Sequence, residues 1–279
     1  MNSPLLNLPA FRTPRIMGIL NVTDDSFSDG GRFADPDKAL AQAARLVEEG
    51  ADILDIGGES TRPGAKPIPA DAELRRVIPV LARIRENWPE LAVSVDTRKS
   101  EVAAAAIELG AGIINDISAL RHDPRMAEVL AAHPRVRLIL MHMLGQPETM
   151  QENPVYGDVL AEVNAFFTAR IDHAVTHGIA RENILLDPGI GFGKTAEHNF
   201  RLLAGLEAFR KHGLGLVLGA SRKRFIAAVD PSDAQQRIGG TLAAAAAAAW
   251  QGVEIVRVHD VKAHRQFFSV LQAIIKEAG

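Results

Sequence analysis

The sequence predicts an α/β protein: a single (β/α)8 TIM barrel over residues 1–279, with residues 1–14 as an N-terminal extension. First, eight short apolar runs each end in a polar residue or a glycine and lead into a loop and a helical pattern. Second, a length of 279 residues with 47% hydrophobic content suits one barrel and no composition break marks a second domain. A doubly wound open sheet is the alternative, but it usually has fewer strands and a glycine-rich first turn, which this chain lacks.

The eight runs are rich in leucine and β-branched residues, which is typical of parallel strands covered on both faces. They are residues 16–20, 53–56, 91–95, 113–114, 138–141, 184–186, 214–218 and 253–258. In a barrel of this kind the active site lies at the C-terminal ends of the strands. The polar residues that follow the runs are therefore expected to converge at one mouth.

Helical patterns fill the segments between the runs. Apolar residues recur on one helical face in residues 40–47, 102–109 and 163–175. Asp35 followed by Pro36 is a start signal, because proline fits the first helical position. The expected helix ends are Gly50, Gly110, Gly178 and Gly213. The alanine tract at 243–249 predicts a closely packed helix, since alanine is the best helix former.

Composition excludes several classes of function. The net charge of −3 gives no general reason to bind nucleic acid. Without cysteine the chain has no disulfide, thiolate metal site or cysteine nucleophile. No apolar run reaches the ~20 residues of a membrane span, and the first fourteen residues lack a signal-peptide core. We therefore expect a cytoplasmic protein with no membrane partner.

The stretch 184–195 is organised around one acid. A buried run ends at Asp187, Pro188 ends regular structure, and three glycines follow at alternate positions. Such a loop suits a small polar ligand. The two glycine-rich phosphate motifs both fail, because one needs glycine at position 188 and the other at position 194, where the chain has Lys194.

Asp96, Asn115 and Asp187 form a second set of candidates. Two acids and an amide suit an acid–base pair, a metal site or the recognition of a heterocycle. A glycosidase is expected to have a substrate groove rich in aromatic residues, whereas only 5% of this chain is aromatic. A metal site would need more acidic or histidine ligands near Asp96 and Asp187. The heterocycle is favoured, since carboxylates accept from ring N–H and amino groups. Met141 and Phe192 are candidate apolar walls.

Cationic residues indicate an anionic ligand. The loop 57–64 places Arg62 between glycines, and arginine presents a planar fork of donors that fits phosphate. Arg257 and His259 lie two residues apart at the last strand, on one face of it. An arginine inside a barrel is costly unless something anionic meets it. Lys223 is expected to neutralise an acid or to donate to a ring carbonyl.

Six segments in order resemble the dihydropteroate synthase family over nearly the whole chain. They are residues 19–31, 57–65, 142–150, 187–194, 221–223 and 257–261. The resemblance implies a pterin-binding barrel that joins a dihydropterin pyrophosphate to p-aminobenzoate with release of pyrophosphate. Asp24 departs from the pattern, since the family usually has proline there.

The resemblance also implies a role for individual residues. Pterin contacts are Asp96, Asn115, Asp187 and Lys223, with walls of Met141, Phe192 and Gly219. Pyrophosphate contacts are Asn21, Arg62, Arg257 and His259, and Asn21 is linked to Mg²⁺. Phe27, Thr61, Pro63 and Ser221 surround p-aminobenzoate. The expected catalytic residues are Arg62, Lys223, Arg257 and His259.

Two other functions stay open at this stage. A related barrel transfers methyl from methyltetrahydrofolate to a corrinoid, but it needs no group that binds pyrophosphate. A non-catalytic pterin-binding barrel is the second. We expect a homodimer, because the alanine-rich helix would let two subunits approach closely. Asp55 is expected to support the site, and His142 has no assigned role.

Overall fold

Eight parallel strands close into a barrel in the computed structural model, which describes residues 13–23, 36–62 and 64–278. Each strand pairs with the next along the chain, and the last pairs with the first. The strands are β1 (Arg15–Asn21), β2 (Ile53–Gly57), β3 (Ala92–Asp96), β4 (Ile113–Asp116), β5 (Arg137–Met141), β6 (Ile184–Asp187), β7 (Gly215–Leu218) and β8 (Ile255–Val258). The predicted TIM barrel is confirmed.

The helices alternate with the strands. They are α1 (Pro36–Glu48), α2 (Ala70–Asn87), α3 (Ser100–Glu108), α4 (Met126–Ala131), α5 (Val159–Thr176), α6 (Ala196–Ala204), α7 (Arg224–Ala227), α8 (Ile238–Trp250) and α9 (Val261–Ala278). The described residues also form 3₁₀ helices at Arg181–Asn183, Leu206–His212 and Ala234–Gln236. The helices predicted from the apolar periodicity are confirmed, and so is the alanine tract within α8. Gly50 adopts φ +95° after α1, as expected of a residue that ends a helix.

The predicted eighth run begins two residues earlier than β8. Gly252 has a left-handed φ of +74°, and the Val253 N–H donates to the Ala248 carbonyl of α8. Val253 therefore completes the end of the preceding helix and is buried without joining the sheet. The apolar side chain of Val253 does not by itself show whether the residue belongs to a strand or to the end of a helix.

One apolar layer fills the lower part of the barrel interior. We call it the floor; it consists of Met17, Ile53, Ile113, Ile139, Leu185, Val217 and Ile255, with Ala92 packed against it. Because side chains alternate along a strand, the residues two positions further on point to the same interior. We call these Ile19, Asp55, Ser94, Asn115, Met141, Asp187, Gly219 and Arg257 the second layer.

A larger apolar core lies between the strands and the surrounding helices. Phe167, Phe209 and Phe268 are among its largest fully buried side chains. Buried apolar area of this kind holds the helices against the sheet and so fixes the barrel that carries the mouth. Within the described ranges, none of the helices has the length and apolar character of a membrane span.

Candidate active site

The strand register brings the predicted polar residues to one rim. Asn21 is in register with Gly57, Gly57 with Asp96, and Asp96 with Asn115. On the other side of the barrel Met141 is in register with Asp187. Since all strands are parallel, these residues lie at the same C-terminal end of the barrel. The expected convergence at a single mouth is confirmed.

Arg257 is held by two carboxylates of the chain itself. Its Nε donates to Asp55 Oδ2 at 2.5 Å and its Nη2 donates to Asp96 Oδ2 at 2.8 Å. The Asn115 amide donates to the same Asp55 oxygen at 3.3 Å. An anion was expected to meet this arginine, and Asp55 and Asp96 supply it. Asp55 thus contacts a predicted site residue directly.

This cluster has more negative than positive charge. Two acids face one guanidinium, so one carboxylate charge has no full partner within the triad. Burial raises the pKa of Asp96 to about 7, against the opposing effect of Arg257. The pKa of Arg257 is raised, because Asp55 and Asp96 outweigh its own burial. The cluster can therefore take up or release a proton near neutral pH.

Asp187 and Lys223 form the second charged group of the mouth. A Cβ placed on Gly219 would lie 3.6 Å from Asp187 Oδ2 and 3.9 Å from Lys223 Nζ, so both groups face this glycine. The Asp187 Oδ1 accepts the Gly189 N–H at 2.7 Å. Burial raises the pKa of Asp187, although Lys223 opposes it, and burial lowers the pKa of Lys223 to about 8.

The apolar side of the mouth is a small cluster next to these charges. Ile117, Met141, Met143 and Met150 are buried together, and Phe192 packs against them. Lys223 Nζ lies 4.5 Å from the centre of the Phe192 ring. Met141 and Phe192 were predicted as walls, whereas the other three were not. Ile117 and Met143 follow Asn115 and Met141 by two residues, which is the signal that would have found them.

Asn21 projects its amide towards the acids. A Cβ on Gly57 would lie 3.5 Å from Asn21 Oδ1 and 3.9 Å from Asp96 Oδ2. Glycine at this position leaves space between the two side chains. Within the described ranges, no group of three or more histidine, cysteine or acidic residues is arranged to hold a metal ion.

His259, which follows β8, meets Ser221, which follows β7, and β8 is the neighbour of β1 in the barrel. The Ser221 hydroxyl is 3.0 Å from His259 Nδ1 and accepts the His259 N–H at 3.2 Å. Burial, followed by the nearby Arg257, lowers the pKa of His259 to about 4. His259 is therefore a neutral hydrogen-bonding group near pH 7. Of the two roles that the sequence left open for it, cation or neutral donor, the lowered pKa favours the neutral donor.

The loop after β2 carries Thr61 and Arg62, two further predicted residues. Arg62 is exposed and Thr61 is half-buried. Arg62 lies near enough to His259 to contribute to lowering the pKa of that imidazole. Phe27, Pro63 and Asp24 lie outside the described residues.

Lys194 is a buried residue that the sequence did not single out. Its ammonium donates to the carbonyls of Gly189 at 2.9 Å and Phe192 at 3.0 Å, and it lies 2.9 Å from His142 Nδ1. Burial lowers the pKa of Lys194 well below its usual value and that of His142 to about 2. Lys194 therefore holds the loop that follows Asp187, residues 188–193, which we call the glycine loop. His142 is a packing partner of Lys194 there.

The comparisons with known proteins agree with this geometry. Residues 17–259 match the family model described as pterin binding enzyme. The Escherichia coli (strain K12) dihydropteroate synthase is 47% identical over 262 residues, which is 94% of this chain and 92% of that protein. Yersinia pestis dihydropteroate synthase, solved with a sulfonamide drug, has a TM-score of 0.89 and 43% identity, covering 95% of each chain. The Xanthomonas albilineans dihydropteroate synthase with 4-aminobenzoic acid has a TM-score of 0.87 and 47% identity, covering 94% and 93% of the chains.

The barrel and its mouth are thus those of a pterin-binding enzyme. Within that class the coverage extends over almost the full length of each relative. The chain belongs to the dihydropteroate synthase family, and it is a transferase.

Proposed function

We propose that the protein condenses 6-hydroxymethyl-7,8-dihydropterin pyrophosphate with p-aminobenzoate, giving 7,8-dihydropteroate and pyrophosphate in folate biosynthesis. One observation carries the proposal: a single mouth holds Asp187 and Lys223, which both face Gly219, on one side and Arg257 with His259 on another. The names of the relatives support the product, and the X. albilineans complex supports the amine.

The pterin ring is bound by the acids and the lysine. Asp187 accepts from ring N–H and amino groups, Lys223 donates to the ring carbonyl, and Asn115 can do both. Asp96 supplies a second carboxylate. Met141 and Phe192 enclose the flat faces of the ring, and their apolar contacts exclude water from these hydrogen bonds.

Pyrophosphate departure depends on the cationic edge. When the Asp96 carboxylate binds the pterin, Arg257 retains the hydrogen bond from its Nε to Asp55. Its Nη2 then loses the hydrogen bond to Asp96 and can donate to a phosphate oxygen. Arg62 and His259 add donors to the leaving group. One charge ~4 Å from a phosphate is worth roughly 4 kcal/mol at an effective dielectric near 20. These interactions grow as the negative charge develops, so they favour the transition state.

The bond changes balance without a protein nucleophile. The C–O bond breaks first, its electron pair leaves with pyrophosphate, and the pterin ring shares the positive charge of the methylene. The neutral arylamine then forms the C–N bond and loses its extra proton to solvent. Because a neutral arylamine is already nucleophilic, no strong general base is needed.

Mg²⁺ fits this mouth as a partner of the pyrophosphate. The Asn21 carboxamide oxygen faces the open space above Gly57, beside Asp96, and would hold the ion together with phosphate oxygens and water. Magnesium keeps several waters and needs only one or two protein oxygens. When bound, it neutralises charge on the leaving group. The amine substrate is expected to lie near Ser221 and Thr61, and near Phe27 and Pro63 outside the described residues.

The test is to mix the protein with the pterin pyrophosphate, p-aminobenzoate and Mg²⁺ and to follow pyrophosphate and dihydropteroate together. We expect equimolar formation of both products. A methyltransferase-like barrel that binds methyltetrahydrofolate would release no pyrophosphate, and a non-catalytic barrel would bind pterin without turnover. Either result would reject the proposal.

We further propose a homodimer in the cytoplasm. On α9, Val270 is 54% exposed and Ile274 is 53% exposed, and Trp250 at the end of the alanine-rich α8 is 37% exposed. Apolar side chains of this size are candidates for a subunit contact. Light scattering on the purified chain should give twice the monomer mass, and a monomer at micromolar concentration would reject the dimer.

A further inference from the structure

We propose that Glu59 is a positioning residue, which holds the loop after β2 over the mouth so that Thr61 and Arg62 meet the amine and the pyrophosphate. We call residues 59–68 the β2 loop; the structure describes all of them except Pro63. The inference rests on the proposed function for the roles of Thr61 and Arg62. Its structural part, the fastening of the loop by one carboxylate, is independent of that function.

The Glu59 carboxylate closes the β2 loop on itself. Glu59 stands at the start of the loop, directly after Gly57 and Gly58, and its Oε2 accepts the backbone N–H of Ile68 at 3.0 Å. One side chain thereby joins both ends of the loop, nine residues apart. Fixing the ends reduces the number of conformations open to the residues between them.

Two cations hold this carboxylate in place, the buried Arg98 and the partly buried Lys99. Arg98 approaches Glu59 Oε1 through Nε at 3.0 Å and Nη2 at 2.8 Å, and Lys99 Nζ lies 2.6 Å from Oε2. The side chains of Glu59 and Arg98 are each 6% exposed. Lys99 also pairs with the buried Glu73 on α2. The four charges balance, so the cluster is compensated although it is removed from water.

The cluster connects the β2 loop to the pterin side of the mouth. Arg98 and Lys99 follow Asp96 closely at the end of β3. Burial alone would raise the pKa of Glu59, but the hydrogen bonds and charges of Lys99 and its neighbours lower it. Glu59 therefore stays ionised at neutral pH and keeps both cations paired.

Two further contacts between described residues hold this part of the chain, at positions different from that of Glu59. Arg76 of α2 donates to the Gly58 carbonyl at 2.9 Å. Near the tip, the Gly64 N–H donates to the Pro147 carbonyl at 3.1 Å. The first lies before the loop and the second near its middle. Thr61 and Arg62 stand between them, and among the described contacts it is the Glu59 carboxylate that joins the two ends of the loop.

The consequence differs from that of losing a pterin contact. Asp187 and Lys223 stand on β6 and after β7, and Glu59 makes no hydrogen bond to either. Loosening the β2 loop should therefore impair capture of the amine and of the pyrophosphate group, while the pterin ring still finds its partners. A general loss of structure would impair all of them.

The experiment compares Glu59→Ala and Glu59→Gln with Glu73→Gln in the full chain. Glu73 belongs to the same ion cluster but does not bond the β2 loop, so it is the matched control. Each variant is measured for amide hydrogen exchange in residues 60–68, for KM and kcat with p-aminobenzoate, and for calorimetric affinity towards 6-hydroxymethylpterin.

We expect Glu59→Ala to raise the KM for p-aminobenzoate and the exchange rates of the loop by about tenfold or more each, because the segment loses its anchor. Pterin affinity should stay within about twofold, as for independent sites. Glu59→Gln keeps an acceptor for Ile68 and should give a smaller change. Glu73→Gln should lower the melting temperature without either loop effect.

Two results would overturn the inference. One is unchanged loop exchange and KM in both Glu59 variants; the other is an equal effect in Glu73→Gln. If Glu59→Ala does not fold, Glu59→Gln against Glu73→Gln decides the question. If the wild-type chain releases no pyrophosphate, the proposed function fails, while the exchange measurement still decides whether Glu59 anchors the loop.

Discussion

The floor and the second layer of the barrel lie two residues apart on the same strands, yet they have opposite chemistry. The floor is entirely apolar, whereas the second layer includes Asp55, Asn115, Asp187 and Arg257. The floor fills the interior below the second layer, and the second layer lies next to the mouth. Charges that lie next to an apolar layer such as the floor interact strongly with one another and with a ligand that enters the mouth. The floor supports the fold, and the layer above it supports the chemistry.

Asp187→Asn should give the largest effect. It changes the second-layer residue of β6 and leaves Leu185, the floor residue of the same strand, in place. The amide would present a donor where the pterin needs an acceptor. The variant loses an ionic hydrogen bond and places an amide donor against a donor of the ring. Binding of 6-hydroxymethylpterin, which we call the pterin alcohol, should therefore weaken by more than about 100-fold. Calorimetry measures this affinity, and an unchanged value would remove Asp187 from the pterin site.

Arg257→Ala should slow pyrophosphate release by about 10²–10³-fold, as is typical when a group that stabilises developing charge is removed. Binding of the pterin alcohol, which lacks phosphates, should change far less. Asp55 and Asp96 also lose their partner, so we expect about 3–5 kcal/mol of destabilisation. Single-turnover kinetics and chemical unfolding measure the two effects.

Ser94→Ala is the control for Arg257→Ala. Ser94 is buried in the same layer, and its hydroxyl has no hydrogen-bond partner among the described residues. It should therefore leave the rate and the stability nearly unchanged. If Arg257→Ala weakened pterin alcohol binding as much as it slowed pyrophosphate release, the role of Arg257 at the pyrophosphate would be rejected.

Leu185→Ala tests the floor two residues before Asp187. Removing a fully buried side chain should cost about 2–5 kcal/mol in the free energy of unfolding. Because the floor lies one layer below the polar residues of the mouth, we expect kcat and pterin affinity, measured well below the melting temperature, to stay within about threefold. A loss of affinity comparable to that of Asp187→Asn would show that the two layers are not separable.

The pH dependence of pterin binding should give the smallest and most specific effect. With its pKa raised to about 7 by burial, Asp96 is mostly protonated at pH 6. Affinity for the pterin alcohol should then fall by up to about tenfold per pH unit below pH 7. Asp96→Asn should remove this slope although Asp187 remains. A slope that survives in that variant would assign the titration to another group.

The same shift has the opposite sign for stability. Because the folded state keeps the Asp96 proton to about pH 7 and the unfolded state loses it near pH 3.8, the contribution of Asp96 to stability falls as pH rises through that window. For His259 the pKa is lowered from 6.5 to about 4, so its contribution is complete above pH 6.5 and is lost as pH falls towards 4. The two groups therefore oppose each other between pH 4 and 6.5.

Much of this arrangement was predictable from the sequence. The eight apolar runs predict the barrel, and the residue that ends each run predicts the mouth. The period of two also extends from Leu185 to Asp187 and from Ile255 to Arg257, so both layers are visible in the sequence. Barrel closure then brings β8 next to β1 and accounts for the meeting of distant residues.

Other features depend on distances across the barrel. Asp55 and Arg257 are 202 residues apart, and only the closed ring shows that one arginine has two carboxylates. Burial decides that His259 is neutral, which the residue type does not. Lys194 has no role assigned from the sequence, whereas the structure buries it and its ammonium donates to the carbonyls of Gly189 and Phe192.

An experimental structure of the chain with the pterin pyrophosphate and Mg²⁺ would test the proposed site most directly. We expect the pterin ring to lie on Asp187 and Asn115 above the floor, with the pyrophosphate between Asn21, Arg257 and His259. Arg257 should keep its Nε on Asp55 while its contact to Asp96 is broken. A pterin bound outside the mouth, or a pyrophosphate that does not touch Arg257, would contradict the proposed site.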